Sequence, residues 1–524
     1  MHYGLDFGTC NSQYAMMVGK EPIIDLNHPL GIPSIILYNP DDDREYYGLQ
    51  ISESGELRIK NSINYLKKTI RDNPNDFKKE IVINGGKKYT PEILLKKYIM
   101  YLTTQMKERM YSLSPGTDNE IREITLTVPL GLKSGKMMST EYNSLLQKTV
   151  AEMGGIGEEH VHILEEPVAA ALYYVYTNND LISPEKENLR VMVFDMGGGT
   201  LDVTIVDYNR LHNKFETVST QGDLDLGGNN FDEIIIEMAK DQGLLDNIKN
   251  DEYQDLKEKV VSLKEKLSIE QETTLKLIVN GSRRYFDLSR QEFEEKSNNL
   301  MDRAMAVVKA TLSDANCNIT DVDAVFLAGG AVNMPMVRSR FISEYPNYSK
   351  DNIMIDKPSA ATAMGAAIYS KYKARSVAMR ICNMNIVEKA THSYGFESIR
   401  SSTGDAGIYT LIEKGTVITN NKIALESRDS FTPLSDEQTH VRFVVYEIDV
   451  PKEEMDPHGW VNISSNTKPN GLEVTIPVPP QYIGNACDFV VKVWLSLTCD
   501  GILEIQVKDS EGRVLGKKSK MMQN

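Results

Sequence analysis

The chain has 524 residues, and 58 Lys and Arg against 74 Asp and Glu leave a formal net charge of −16. So acidic a chain repels phosphodiester backbones, which excludes broad nucleic-acid binding but not a small anion held in a local cradle. Hydrophobic residues at 41% and charged residues at 25% are ordinary globular values, and at roughly 150 residues per domain the chain can build three or four units with buried cores.

From the N-terminus, GLDFGTCNSQYAMMV reads as a strand ending in Asp6, a Gly/Thr turn and a returning strand. No basic region followed by an apolar run opens the chain, so no signal peptide is expected. ITLTVPL is a strand ahead of a polar helical stretch. In ILEEPVAAALYYVY a strand ends at Glu165 and Glu166. Pro167 then enters the first turn of a helix, where its missing N–H costs nothing. The alanines let that helix pack closely, and its apolar run 168–175 is too short to cross a bilayer. VMVFDMGGGTLDVTIVD repeats the opening design, a strand to Asp195, a glycine turn and a strand back. VFLAGGAVNMPMVRSRF carries a buried strand through Gly329 and Gly330 into a helix.

Strand-like and helical runs alternate in this way up to about residue 373, the α/β pattern. From Ser376 the helical period is gone. HVRFVVYEIDV, GLEVTIPVPP, FVVKVWLSL and GILEIQVKDS read as strands, with a hairpin turn at Asp500-Gly501. A separate all-β domain is expected there. The cysteines, Cys10, Cys317, Cys382, Cys487 and Cys499, are odd in number and contain no C-x-x-C pair. Neither a disulfide framework nor a zinc site is expected, and a reducing, cytoplasmic setting fits them.

Two similar hairpins suggest two lobes of related build, each offering a turn to a shared cleft. Gly8 and Gly197, Gly198 and Gly199 lack Cβ, so a ligand can approach the backbone and successive N–H groups can form an anion nest. Thr9, Asn11 and Thr200 add short polar side chains. Asp6, Asp195 and Asp202 among phosphates call for a cation, and magnesium bridging through its waters supplies one. One such hairpin would read equally well as a plain turn with Asp as turn former; two of the same design favour function. Glu166 stands at a strand end, where α/β folds place active carboxylates, although an acid at a helix N-terminus is favourable anyway. GLKSGKMM, at 131–138, has only three residues between its glycines and Met137 where a phosphate-binding loop needs Ser or Thr. The glycine triplet likewise fails the dinucleotide fingerprint, because Asp202 stands at the third glycine.

GLDFGTCNS, LTVPLGL, EEPVAAAL, FDMGGGTLDV, GDLDLGGNNFD, FLAGGAVNMPMV and KPSAATAMGAA follow one another as in DnaK-type heat-shock chaperones, and THSYGFESI, LIEKGTVIT and CDGILEIQVKDSEG resemble that family's peptide-binding β-sandwich. The resemblance implies an actin-like two-lobed ATPase domain over 1–375, a linker over 376–390 and a β-sandwich substrate domain over 391–524. The chain stops at MMQN soon after the β-rich part, so no helical lid is expected. ATP or ADP with Mg2+ would be the ligands. The partners would be unfolded or extended peptide segments and a co-chaperone or exchange factor, with neither nucleic acid nor membrane.

By the same resemblance Gly8, Thr9, Cys10 and Asn11 form the first phosphate loop and Gly197, Gly198, Gly199 and Thr200 the second. Asp6 and Asp195 surround hydrated magnesium. Lys67, in YLKKTIR, orients the attacking water and γ-phosphate, Glu166 lies near that water, and Pro129 and Pro167 form a switch between lobes. Lys264 and Ser268 contact adenosine. Read from its own residues, the Gly329-Gly330 turn admits a flat ring or ribose against the backbone, or is simply a tight strand-to-helix connection. Phe396, Ile399, Leu434, Val441 and Phe443 match peptide-pocket positions, which read equally well as sandwich core.

The sequence also departs from the family. Cys10 replaces a Thr. Val261 and Glu265 replace a Glu and the Arg that stacks on adenine, a contact worth roughly 0.5–2 kcal/mol. Ala331 replaces a Ser, Asn333 an Arg and Ser359 an Asp, so the phosphate side is expected intact and the adenine side rebuilt and looser. The linker, VAMRICNMNIVEKATHS, lacks the family's acidic, leucine-rich character. An actin-like assembly protein or sugar-type kinase would share the superfold, but the β-domain argues against both. A nucleotide-gated binding module with little hydrolysis is the other alternative, against which Lys67, Glu166 and Asp195 speak.

Overall fold

β-branched and aromatic runs closed by glycine turns become hairpins, and the helix-period stretches between them become crossovers. The computed structural model describes residues 1–39, 43–53, 62–63, 67, 80–82, 87–113, 120–129, 140–178, 185–375, 385–390, 392–400, 404–418, 422–448, 450, 455–456, 459–498 and 502–521. The chain divides into two units, one of Met1–Met138 and Tyr142–Asn385, the other of Ser139–Glu141 and Ile386–Asn524.

The larger unit holds two sheets of one plan. In the first, His2–Asp6 and Asn11–Val18 pair antiparallel across the first glycine turn, and Glu21–Ile24 continues antiparallel on the outer side. On the other side of His2–Asp6 run Glu123–Val128 and then Val161–Glu165, both parallel. In the second sheet, Asn188–Met196, Leu201–Asn209 and Lys214–Asp223 form the antiparallel meander. Ala324–Ala328 and Ile353–Met354 add the parallel strands. Parallel neighbours need crossover connections, and the helices Thr140–Gly154 and Pro335–Glu344 supply them. This is the two-lobed actin-like α/β architecture that the motifs imply.

The helix after each sheet packs on the other sheet. Glu166–Asn178 follows the first sheet, yet Tyr174 stacks on Phe326 with ring centroids 4.6 Å apart and donates its hydroxyl to Leu327 O at 2.5 Å. Ala361–Arg375 follows the second sheet, yet Ser370 Oγ donates to Tyr3 O at 2.7 Å and meets Thr125 Oγ1 at 2.7 Å. Small residues make both contacts close. A side chain on Gly4 would strike the backbone at Ala363 and Ala367, and one on Gly365 would strike Ala169 O. The alanine-rich helix therefore packs backbone to backbone, as its composition predicts.

The smaller unit is a β-sandwich. One sheet runs Trp460–Asn462, Ala406–Ile412, Ser393–Ile399, His440–Ile448, Thr467–Pro477, and the other Lys422–Glu426, Val491–Thr498, Ile502–Asp509, Val514–Met521. Every named pairing in these two sheets is antiparallel. Alternate residues of both fill the core, among them Phe396, Val445, Leu472, Val493, Leu495 and Ile505. The Asp500-Gly501 turn lies outside the described residues, but its flanking strands pair with Leu497 opposite Leu503. Of the stretch read as linker, 376–384 lie outside the described residues, while Glu388 and Lys389 pair with Ile418 and Val417.

Candidate active site

Both glycine turns have their carbonyls tied down from outside. In the first turn Ser34 does this. Its N–H donates to Cys10 O at 2.7 Å and its Oγ to Gly8 O at 2.8 Å. In the second, Gly197 N–H closes the turn on Thr200 O at 3.0 Å, while Gly197 O and Gly198 O accept from the N–H groups of Gly228 and Asn229 at 2.9 and 2.7 Å. These two donors open the helix Gly228–Asp241, so N-terminal N–H groups that lack intrahelical partners are spent on the turn. Among the described residues the N–H groups of Gly8, Thr9, Cys10, Gly198, Gly199 and Thr200 donate to no protein acceptor. Unpaired N–H groups clustered in glycine turns suit an anion.

The two turns meet. A side chain on Gly198 would collide with Cys10 Sγ, and one starting at Gly199 would stand 3.9 Å from Thr9 Cγ2 and 3.8 Å from Asn229 Nδ2. Gly227 is glycine for the same reason, since a Cβ there would lie 2.6 Å from Gly199 N. Gly8 has backbone of its own turn, Asn11 O, where a side chain would go.

Acidic groups gather beside them. Asp6 ends the strand His2–Asp6, Asp195 stands next to last in Asn188–Met196, Asp202 lies opposite Asp195 in its hairpin, and Glu166 opens its helix. Lys67 is buried, and its Nζ donates to Glu166 Oε1 at 2.7 Å. Burial opposes the lysine's charge, but Glu166, Asp6 and Asp202 outweigh burial and hold its pKa above the ordinary value. Burial and then Glu166 push the Asp6 carboxyl up to about 6, against the pull of Lys67 and a 2.7 Å hydrogen bond from Thr127 Oγ1. Burial, with Glu166, Asp202 and Asp6, raises Asp195 well above the carboxylate range. Four carboxyls against one ammonium leave negative charge that a cation would neutralise. Among the described residues no three His, Cys, Asp or Glu are set to grip a metal directly.

The third wall comes from Gly329 and the helix Asn250–Leu267. Gly329 has φ 83°, and a side chain there would sit 2.6 Å from Asp195 Oδ1. Gly330 stands near Ser359 Oγ, and Asn333 Nδ2 donates to Gly330 O at 3.0 Å. Lys264 Nζ donates to Gly228 O at 2.8 Å and pairs with Asp232 Oδ1 at 2.8 Å. Ser268 closes the same helix, its Oγ donating to Lys264 O at 3.4 Å. Val261 and Glu265 are exposed on that helix, and Ala331 is buried near Gly228.

Asp6, Lys67, Glu166, Asp195, the two glycine turns, Lys264 and Gly329 therefore lie in one neighbourhood. Asn11 is exposed and already belongs to its strand, opposite Pro33. Pro129 is partly buried and Pro167 buried. Lys68 and the loop 131–138 lie outside the described residues. In the β-sandwich, Phe396, Val441 and Phe443 pack inside the core, while Ile399 at 42% and Leu434 at 68% are exposed. Sequence reasoning assigned no role to Ser34, Gly227, Gly228 or Asn229. The Gly-Gly pair ahead of an amphipathic helix was a usable signal, but nothing local marks Ser34.

An actin-like unit with paired, anion-suited turns, followed in one chain by a β-sandwich, defines an ATPase-type fold with a second module. The family model described as Hsp70 protein matches residues 2–514, so the chain belongs to the Hsp70 family and is a chaperone of that type. Members of this family are ATPases that use ATP, ADP and Mg2+ and bind unfolded polypeptides and co-chaperones. No described helix is long and apolar enough to cross a membrane.

Proposed function

We propose that the larger unit binds ATP with magnesium between the paired turns and hydrolyses it, and that hydrolysis gates the binding of extended, unfolded peptide segments by the β-sandwich. The observation that carries this reading is the set of six unpaired N–H groups on two touching turns, beside a cluster of carboxyls around Lys67.

The N–H groups of Gly8 to Cys10 and Gly198 to Thr200 hold the phosphates from two sides. Asp6 and Asp195 are the residues that would hold magnesium, which would supply positive charge to offset that of the phosphates. Lys67 is fixed by Glu166 at 2.7 Å, so its remaining N–H groups can orient a water and the γ-phosphate. Glu166 accepts a hydrogen bond from that water as it attacks in line with departing ADP, a reaction that rests on positioning and electrostatics. Thr200 adds a hydroxyl at the phosphate. Lys264, Ser268, Gly329 and Gly330 bound the adenosine end, and with Val261 and Glu265 exposed on that side nucleotide affinity is expected to be modest. In the sandwich, Ile399 and Leu434 are the accessible members of the peptide positions. Free thiols at Cys10, Cys317 and Cys487 support a reducing, cytoplasmic setting.

Thr200→Ala gives a clean test, because the contact that closes the turn uses Thr200's backbone oxygen. Single-turnover hydrolysis should fall by about a hundredfold or more while the melting temperature stays unchanged. Unaltered turnover in Thr200→Ala and in Lys67→Ala would reject the assigned roles. A wild-type chain that binds ATP without turning it over would leave a binding module.

A further inference from the structure

The Asn229 side chain reaches both turns. Its backbone N–H donates to Gly198 O at 2.7 Å, and its Oδ1 accepts from Cys10 Sγ at 3.8 Å, across from the other lobe's turn. With Oδ1 on the thiol, Nδ2 is turned toward Gly199. It lies 3.8 Å from where a Gly199 side chain would begin, and Thr9 Cγ2 flanks the same point at 3.9 Å. Nδ2 donates to no described protein group, and the two residues beside it, Gly199 and Thr9, also have unpaired backbone N–H groups. An amide can present its oxygen or its nitrogen there. Only the nitrogen suits an anion, and a thiol that donates to Oδ1 leaves the nitrogen free to offer it.

We propose that Asn229 is a phosphate-contacting residue whose amide N–H groups close the cradle between the two glycine turns, and that Cys10 acts as a positioning residue by holding its Oδ1. The inference rests on the reading of this cleft as a nucleotide site and adds a neutral side-chain donor to its backbone donors. It also gives Cys10 a task that a valine at that position could not perform and a serine could.

Calorimetric titration of the full chain with MgATP, MgADP and adenosine tests it. Asn229→Ala should weaken both nucleotides roughly ten- to hundredfold, the loss of one charge-assisted hydrogen bond. Adenosine, which has no phosphate, should change by less than about twofold. Asn229→Asp, which turns a carboxylate on the phosphates, should weaken both nucleotides further. Cys10→Ser should bind as the unaltered chain does, Cys10→Val should lose nucleotide affinity, and Cys10→Val should add little on top of Asn229→Ala. If Asn229→Ala binds MgATP and MgADP normally, or loses adenosine equally, the phosphate contact is refuted. If Cys10→Val binds normally, the positioning role is refuted, and if Asn229→Ala fails to fold, Asn229→Asp decides the phosphate contact, which normal nucleotide binding by that variant would refute. Absence of MgATP binding by the unaltered chain overturns the nucleotide reading itself together with this one.

Discussion

Asp6 illustrates how a single buried carboxyl ties protonation to the site. Its pKa near 6 in the folded chain lies above the ordinary 3.8, owing to burial and Glu166. The folded state therefore binds a proton that the unfolded chain has already released between those values. The resulting stability is complete below the lower pKa and is lost as pH rises through the upper one. Asp6→Asn removes the charge while its Oδ1 can still accept from Thr127. Without ligand, this variant should melt higher than the unaltered chain at about pH 7.5, by on the order of 2 kcal/mol, and alike near pH 4. Magnesium with nucleotide favours the ionised carboxyl, so binding at about pH 6 should release a fraction of a proton that Asp6→Asn does not release. Titrations in buffers of different ionisation enthalpy read this directly. A pH-independent difference in melting would mean that Asp6 is not the titrating group.

Between elements, the decisive contacts are backbone to backbone. The helices Glu166–Asn178 and Ala361–Arg375 touch where Gly365 meets Ala169. The neighbour is a carbonyl within a helix rather than a flexible side-chain tip, so neither partner can yield locally. Gly365→Ala should destabilise the larger unit by about 3 kcal/mol or separate the two helices, measured by denaturant midpoint. Gly155→Ala has open space around it but a φ of 71°. It should cost only about 1 kcal/mol, the backbone penalty without the clash. Equal effects at the two positions would argue against the close approach. The same packing places Glu166, the first residue of one of these helices, beside Lys67, so a shift of the helix pair would be felt as lost turnover.

For the whole molecule the prediction concerns coupling. If hydrolysis gates peptide binding, ATP turnover by the full chain should rise several-fold on adding an unfolded peptide. Exchanging Ile399 or Leu434 for Asp should abolish the rise without changing basal turnover. A flat response to peptide would confine the function to the larger unit. Nucleotide should also stabilise by mass action, about 2.7 kcal/mol at a hundredfold excess over its dissociation constant. Over the same concentration range, Asn229→Ala should be stabilised by only about 0.4–1.4 kcal/mol, as a ten- to hundredfold weaker dissociation constant requires.

The sequence by itself determined the hairpins, the α/β-then-β order and the acidic ends of the central strands, because these depend on local chemistry. Alternation, glycine turns and Asp placement are visible within a dozen residues, and two similar turns in one chain already suggest a shared task. It also marked Glu166 by its place at a strand end, and Lys67 only through family resemblance, since a lysine in a basic run reads as an ordinary solvated residue. Only the tertiary structure decided that Lys67 is buried against Glu166, that Ser34 and the start of the Gly228–Asp241 helix hold the turn carbonyls, and that Cys10 faces Gly198 and Asn229. It likewise separated Phe396, Val441 and Phe443, which fill the sandwich core, from Ile399 and Leu434, which reach solvent. The reason is physical. A hydrogen bond or a van der Waals contact is set by distance in space, and the chain segments that supply these partners come together only when two sheets and their crossed helices have packed.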